Sequence, residues 1–234
     1  MNTSRRTSIA AGALFILATI AALAAASVVP SLTGTDYLTA VADQPNRVAA
    51  AAVLYLIAAG SSVGITIALY PLLKQVNAVL ALGSVVFRTI EAVFYTAAVV
   101  SLLSILPLAR SQDGALASVA ATTQVAADAL LSVRDSASVV GVFAFCVGSV
   151  LYSLALLEAR AIPRWLSGWG VLASLTMFTA CLLSVFSGQP ITGYVPLIIP
   201  IFVQEMVLAG WLLVKGFAPR RREALAPVEA QVAA

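Results

Sequence analysis

Residues Val76–Leu106, VNAVLALGSVVFRTIEAVFYTAAVVSLLSIL, form an apolar run interrupted by two charged side chains, Arg88 and Glu91. The run is long enough to cross the hydrocarbon of a bilayer, about 30 Å thick. There, unpaired backbone groups have no water to bond, so the segment has to be a helix. A charge in hydrocarbon costs several kcal/mol unless it is paired or wetted. Arg88 and Glu91 are therefore expected to turn inward, toward other helices that partner them.

Five more apolar runs flank this one: Ile9–Val29, Arg47–Leu72, Ser136–Leu157, Arg164–Phe186 and Val195–Val214. Together they predict an all-α, polytopic integral membrane helical bundle of six transmembrane helices. One domain over residues 1–217 and a disordered tail over 218–234 account for the chain. Composition agrees: 61% of residues are hydrophobic, 10% are charged and mean hydropathy is +1.01, against about 25% charged in an ordinary soluble domain. Ala22-Leu23-Ala24 resembles a signal-peptidase site, but the first run is longer than a signal core, so a retained span is the expectation and cleavage the alternative.

Lysine and arginine collect on one side. If the amino terminus is inside, Arg5, Arg6, Lys74, Arg160, Arg164, Lys215, Arg220, Arg221 and Arg222 lie inside, and only Arg47, Arg110 and Arg134 outside. This bias predicts both termini in the cytoplasm. Two outer loops exceed a simple turn. In the first, Thr35-Asp36 is placed to cap a short helix through Leu38 and Val41, before Pro45 and Asn46 open the second span. In the second, residues 115–131 carry Leu116, Val119, Ala120, Ala127, Leu130 and Leu131 at helical spacing. They form either an outer surface helix or an outward extension of the fourth span. Trp165, Trp169 and Trp211 read as interfacial anchors on the inner side, and Tyr37 and Tyr194 as the same outside.

The candidate polar site draws on two distant parts of the chain. Arg88 and Glu91 stand three residues apart and share a helix face. At 1.5 Å per residue Arg88 lies about 21 Å along its helix from Lys74, Glu91 about 25 Å, and Glu205 about 15 Å from Lys215, so all three come near one depth. Gln204 and Tyr95 are the expected neighbours. One arginine against two glutamates leaves a net charge of minus one, which is relieved by protonating one acid or admitting a cation; Glu205 is the expected proton carrier. The alternative is a clamp that ties the third span to the sixth and meets no ligand. Pro196 and Pro200, behind Gly188, Pro190 and Gly193, predict a sixth helix that is kinked or begins late.

Other chemistry is sparse. Histidine is absent, which removes the commonest proton shuttle and metal ligand and weighs against hydrolase and metalloenzyme readings. Cys146 and Cys181 fall inside spans and read as packing residues. Ser61, Ser62, Thr66, Ser149 and Ser153 are able to bond carbonyls of their own helices. Gly60 and Gly64 form a small-xxx-small pattern that predicts close packing within the bundle. No cofactor, catalytic residue, metal or nucleic acid is expected. Membrane lipids, and a small molecule or amphiphile as ligand, are the expected partners.

Several segments resemble a bacterial membrane-protein family named domain of unknown function 4386. They are Asn46-Arg47-Val48, Ala68-Leu69-Tyr70-Pro71-Leu72-Leu73-Lys74, Ala81-Leu82-Gly83 with Phe87-Arg88-Thr89-Ile90-Glu91-Ala92, Pro163-Arg164-Trp165-Leu166 with Gly168-Trp169-Gly170, and Gln204-Glu205 with Trp211-Leu212-Leu213-Val214-Lys215-Gly216-Phe217. The resemblance implies a six-helix protein of the bacterial inner membrane without an assigned activity. The functional expectation is a midplane site for small-solute or proton-coupled transport or for amphiphile binding, with a structural or interaction protein as the alternative. An intramembrane enzyme, using Glu91, Glu205 and tyrosines as acid and base, comes third.

Overall fold

The computed structural model of the chain describes residues 3–34, 36–111 and 116–218. Seven α-helices run in the order α1 (Thr3–Val28), α2 (Tyr37–Asp43), α3 (Pro45–Leu73), α4 (Ala78–Arg110), α5 (Ala117–Ala159), α6 (Arg164–Ser187) and α7 (Val195–Val214), with a 3-10 turn over Ile191–Tyr194 before α7. All but α2 are long and apolar enough to span a membrane. Each long helix packs on its neighbour in the chain and α7 returns to α1, so α1, α3, α4, α5, α6 and α7 close an up-and-down ring. Both described termini thus fall at one end of the ring, here called the terminus end, with α2 at the other.

Local chemistry explains where the helices stop and start. Asn77 caps α4, its Oδ1 accepting from the Leu80 amide at 3.1 Å. Pro45 and Pro196 occupy the first turns of α3 and α7, where a missing N–H costs nothing. The late start expected of the last span is therefore seen at Val195, behind the 3-10 turn. Gly188 ends α6 at φ 67, in the left-handed region that favours glycine. Arg5 closes the ring at the terminus end by donating to the carbonyls of Leu212 (3.2 Å) and Leu213 (2.5 Å), which the last turn of α7 leaves without helical partners.

The core has two main parts. One, toward the terminus end, gathers Phe15, Leu69, Leu73, Leu156, Leu208 and Leu212; with Ala11 and Phe15 buried in it, α1 is an integral stave of the ring. The other, at the α2 end, gathers Leu38, Val41, Val48, Leu102, Ile105 and Ala127. Cys146 and Cys181 are free and buried in a smaller cluster with Val142. Gly64 admits Leu14 of α1, whose side chain would lie 3.2 Å from an added Cβ; Gly60 meets nothing within 4 Å. Of the small-xxx-small pair, only Gly64 marks a close contact.

Two expectations change, and of the two readings of residues 115–131 the extension of the fourth span is the one seen. Residues 117–131 do not form a separate surface helix. They are the first part of α5, whose 43 residues reach about 65 Å at 1.5 Å each; no breaker interrupts the stretch, and of its apolar stripe Ala127 is buried with Leu130 and Leu131 beside it while Leu116 and Val119 are exposed. Tyr37 is no interfacial anchor: it is buried, and its hydroxyl donates to Asp128 Oδ1 at 2.8 Å, tying α2 to α5. Burial first, and then the Asp128 carboxylate, hold that hydroxyl well above its ordinary pKa. Asp36 stands at the N-cap position of α2 without a side-chain capping bond. Thr35, Asp113, Ala115 and the tail from Pro219 onward, with Arg220, Arg221 and Arg222, lie outside the described residues. Trp165 is exposed and stacks on Trp169 with ring centres 6.3 Å apart.

Candidate functional site: a buried charge cluster beside an apolar cavity

Arg88 and Glu91 sit about a third to two-fifths of the way along α4, between the two parts of the core, and are 1% and 3% exposed. The guanidinium Nη1 donates to Glu91 Oε2 at 3.1 Å and to Ser62 Oγ of α3 at 2.9 Å. Nη2 donates to Glu205 Oε1 of α7 at 3.1 Å. The three ionisable groups expected to meet therefore do meet. Such close, charge-assisted bonds offset the several kcal/mol that each buried ion loses in leaving water.

Neighbouring helices complete the setting. Ser62 donates its own hydrogen to Glu91 Oε2 at 2.9 Å, so one hydroxyl bridges acid and base. The Tyr152 hydroxyl of α5 donates to Glu205 Oε1 at 3.2 Å and accepts from Ser149 Oγ at 3.1 Å. Ser174 of α6 extends this chain, 2.8 Å from Ser149 Oγ. The guanidinium carbon lies 4.2 Å from the centre of the Phe145 ring, within cation–π range. Gly148 makes room for the arginine stem: a Cβ there would stand 3.2 Å from Arg88 Cγ.

A cavity of about 390 Å³ adjoins the cluster, with Arg88, Glu91, Glu205 and Ser62 in its wall. The rest of the lining is largely apolar, from Ala18, Ala22 and Leu23 of α1, Ala98, Val99 and Leu102 of α4, and Phe145, Met177 and Phe202. Tyr55 and Tyr95 line it too, while Arg134 and Ser138 lie toward the α2 end. Leu23 of α1 and Phe202 of α7 line the cavity and are 56% and 42% exposed. These two helices touch closely near the terminus end, where Gly12 faces Leu213 and the Ala209 carbonyl.

Of the five residues expected at the site, four belong to the cluster or its cavity and Gln204 does not. One step along α7 from Glu205, Gln204 is turned about 100° around the helix and faces α6. Its Nε2 donates to the Leu166 carbonyl at 3.3 Å, and its Oε1 is buried without a hydrogen-bond partner. Ser62, Phe145 and Tyr152 were not anticipated. A depth argument finds Ser62, which stands 12 residues before Lys74, about 18 Å and so close to Arg88's level. Thr66 does bond its own helix, donating to Val63; Ser62 and Ser149 bond side chains of other residues instead.

Fold and site together define a multi-span helical membrane protein whose interior holds a charged cluster at the edge of an apolar cavity. The chain belongs to the family described as Domain of unknown function (DUF4386), whose model matches residues 10–216, a span that includes every residue of the cluster. No curated protein and no solved structure matches the chain.

Proposed function

We propose that the protein resides in the bacterial inner membrane with both termini in the cytoplasm, and that it binds an amphiphile inside the bundle. The apolar chain enters sideways, past Leu23 and Phe202, and the polar head comes to rest against Glu205 and Glu91. The observation that carries this reading is the cavity itself: about 390 Å³, mostly apolar, with a charged cluster in its wall and the exposed Leu23 and Phe202 in its lining. Ligand sites have this size and character, apolar walls with a few convergent polar groups. The lysine and arginine bias supports the orientation.

One observation favours the clamp instead. Arg88 bonds both glutamates, so α4 and α7 are tied together without any ligand. The two readings separate by filling the cavity. A neutral decyl chain bearing a nitroxide near its tip is added to the protein in lipid nanodiscs, and its electron paramagnetic resonance spectrum recorded. Amphiphile binding predicts an immobilised component in the wild type that disappears in the Ala22→Phe/Ala98→Phe double variant while thermal stability is kept. A wild-type spectrum matching that of empty nanodiscs leaves the clamp.

A further inference from the structure

We infer that the deep end of this cavity selects a single positive charge, so that the bound amphiphile is an organic monocation with an ammonium-type head; the inference rests on the amphiphile reading above. The cluster contributes one guanidinium and two carboxylates, a net charge of minus one in a low-dielectric setting. Three of the five N–H groups of Arg88 are already engaged within the cluster. Nη1 donates to Glu91 and Ser62 and Nη2 to Glu205, while Nε is buried without a partner. The acids, by contrast, keep free acceptor capacity. Every bond described to them falls on Glu91 Oε2 or Glu205 Oε1, leaving Glu91 Oε1 and Glu205 Oε2 without a hydrogen bond among the described residues.

Neither of those two oxygens is among the buried, partnerless atoms, so both keep accessible surface, and both residues line the cavity. Tyr55 and Tyr95 line the same space and make no hydrogen bond among the described residues, which leaves ring faces and hydroxyls for a ligand. Carboxylate oxygens next to aromatic faces are the chemistry that holds weakly hydrated ammonium groups. One such charge brings the cluster to neutrality, and a second would overshoot it. Arg134, the other cation in the lining, does not cancel this preference. It is paired with Asp135 at 2.8 Å, and it stands 14 residues before Gly148, the contact of Arg88 on α5, about 21 Å away along the helix.

The test compares heads on one chain length. Radiolabelled decyltrimethylammonium and decyl sulfate are dialysed to equilibrium against the full-length protein in phosphatidylcholine nanodiscs, with empty nanodiscs subtracted. The expected result is at least a tenfold preference for the cation, falling below twofold in Glu205→Gln and unchanged in Glu158→Gln, an exposed carboxylate at the terminus end. Equal retention of the two heads, or a preference for the sulfate, overturns the cation inference and leaves the amphiphile site standing. Retention of neither overturns both. A preference that survives in folded Glu205→Gln overturns the assignment to this cluster; if that variant does not fold, the wild-type comparison of heads still decides.

Discussion

Arg88 carries five N–H hydrogens in a flat fork, four of them on the two terminal nitrogens that here meet Glu91, Ser62 and Glu205. Removing the fork leaves the buried Glu91 and the part-buried Glu205 without their cation. Arg88→Met should therefore destabilise the protein by about 3–5 kcal/mol, the usual cost of breaking a buried ion pair from one side. Arg88→Lys should recover only part of the loss, since an ammonium lacks the planar fork that reaches two acids at once. The neutral triple variant Arg88→Met/Glu91→Gln/Glu205→Gln should come closer to wild type than Arg88→Met alone. Unfolding in detergent, followed by circular dichroism, checks all three. Legibility at this scale was uneven. Arg88, Glu91 and Glu205 stand out because charges in hydrocarbon need partners; Gln204 was misplaced because adjacency along α7 says nothing about which side of the helix a residue takes.

Helices α1 and α7 close the ring through backbone proximity near Gly12. A Cβ at that position would stand 3.0 Å from the Ala209 carbonyl oxygen and 2.9 Å from Leu213 Cγ. A carbonyl in a helix cannot rotate aside, so Gly12→Ala should force α1 outward and cost about 1–3 kcal/mol, as overpacking does. Gly60→Ala, with nothing within 4 Å, should be neutral or stabilising by up to about 1 kcal/mol, through helix propensity alone. Thermal unfolding of the two variants side by side distinguishes them. The helices themselves were readable, since each apolar run became a helix, although α1 begins six residues before its run and α5 nineteen. The length of α5 was not, because the stripe over residues 116–131 fits a surface helix and a span extension equally well. The structure has one continuous helix there, tied to α2 through Tyr37 and Asp128.

Across the whole molecule, six helices in an up-and-down ring place both described termini at one end. Alkaline phosphatase fused after Lys74 or after Ala218 should be inactive, and fused within residues 29–34 active, if the terminus end faces the cytoplasm; the reverse pattern would invert the orientation taken from lysine and arginine. Composition and run length were enough by themselves to determine the six membrane-type helices and the need to hide three charges, because hydrocarbon penalises open backbone and bare ions whatever the packing. Only the tertiary structure decided that Ser62, Phe145 and Tyr152 complete the setting of Arg88, that Gln204 turns to α6, and that a cavity remains beside the cluster. Those outcomes depend on how each helix is rotated about its axis and how closely its neighbours approach. In a chain apolar on nearly every helix face, no strong amphipathic stripe announces that rotation in advance.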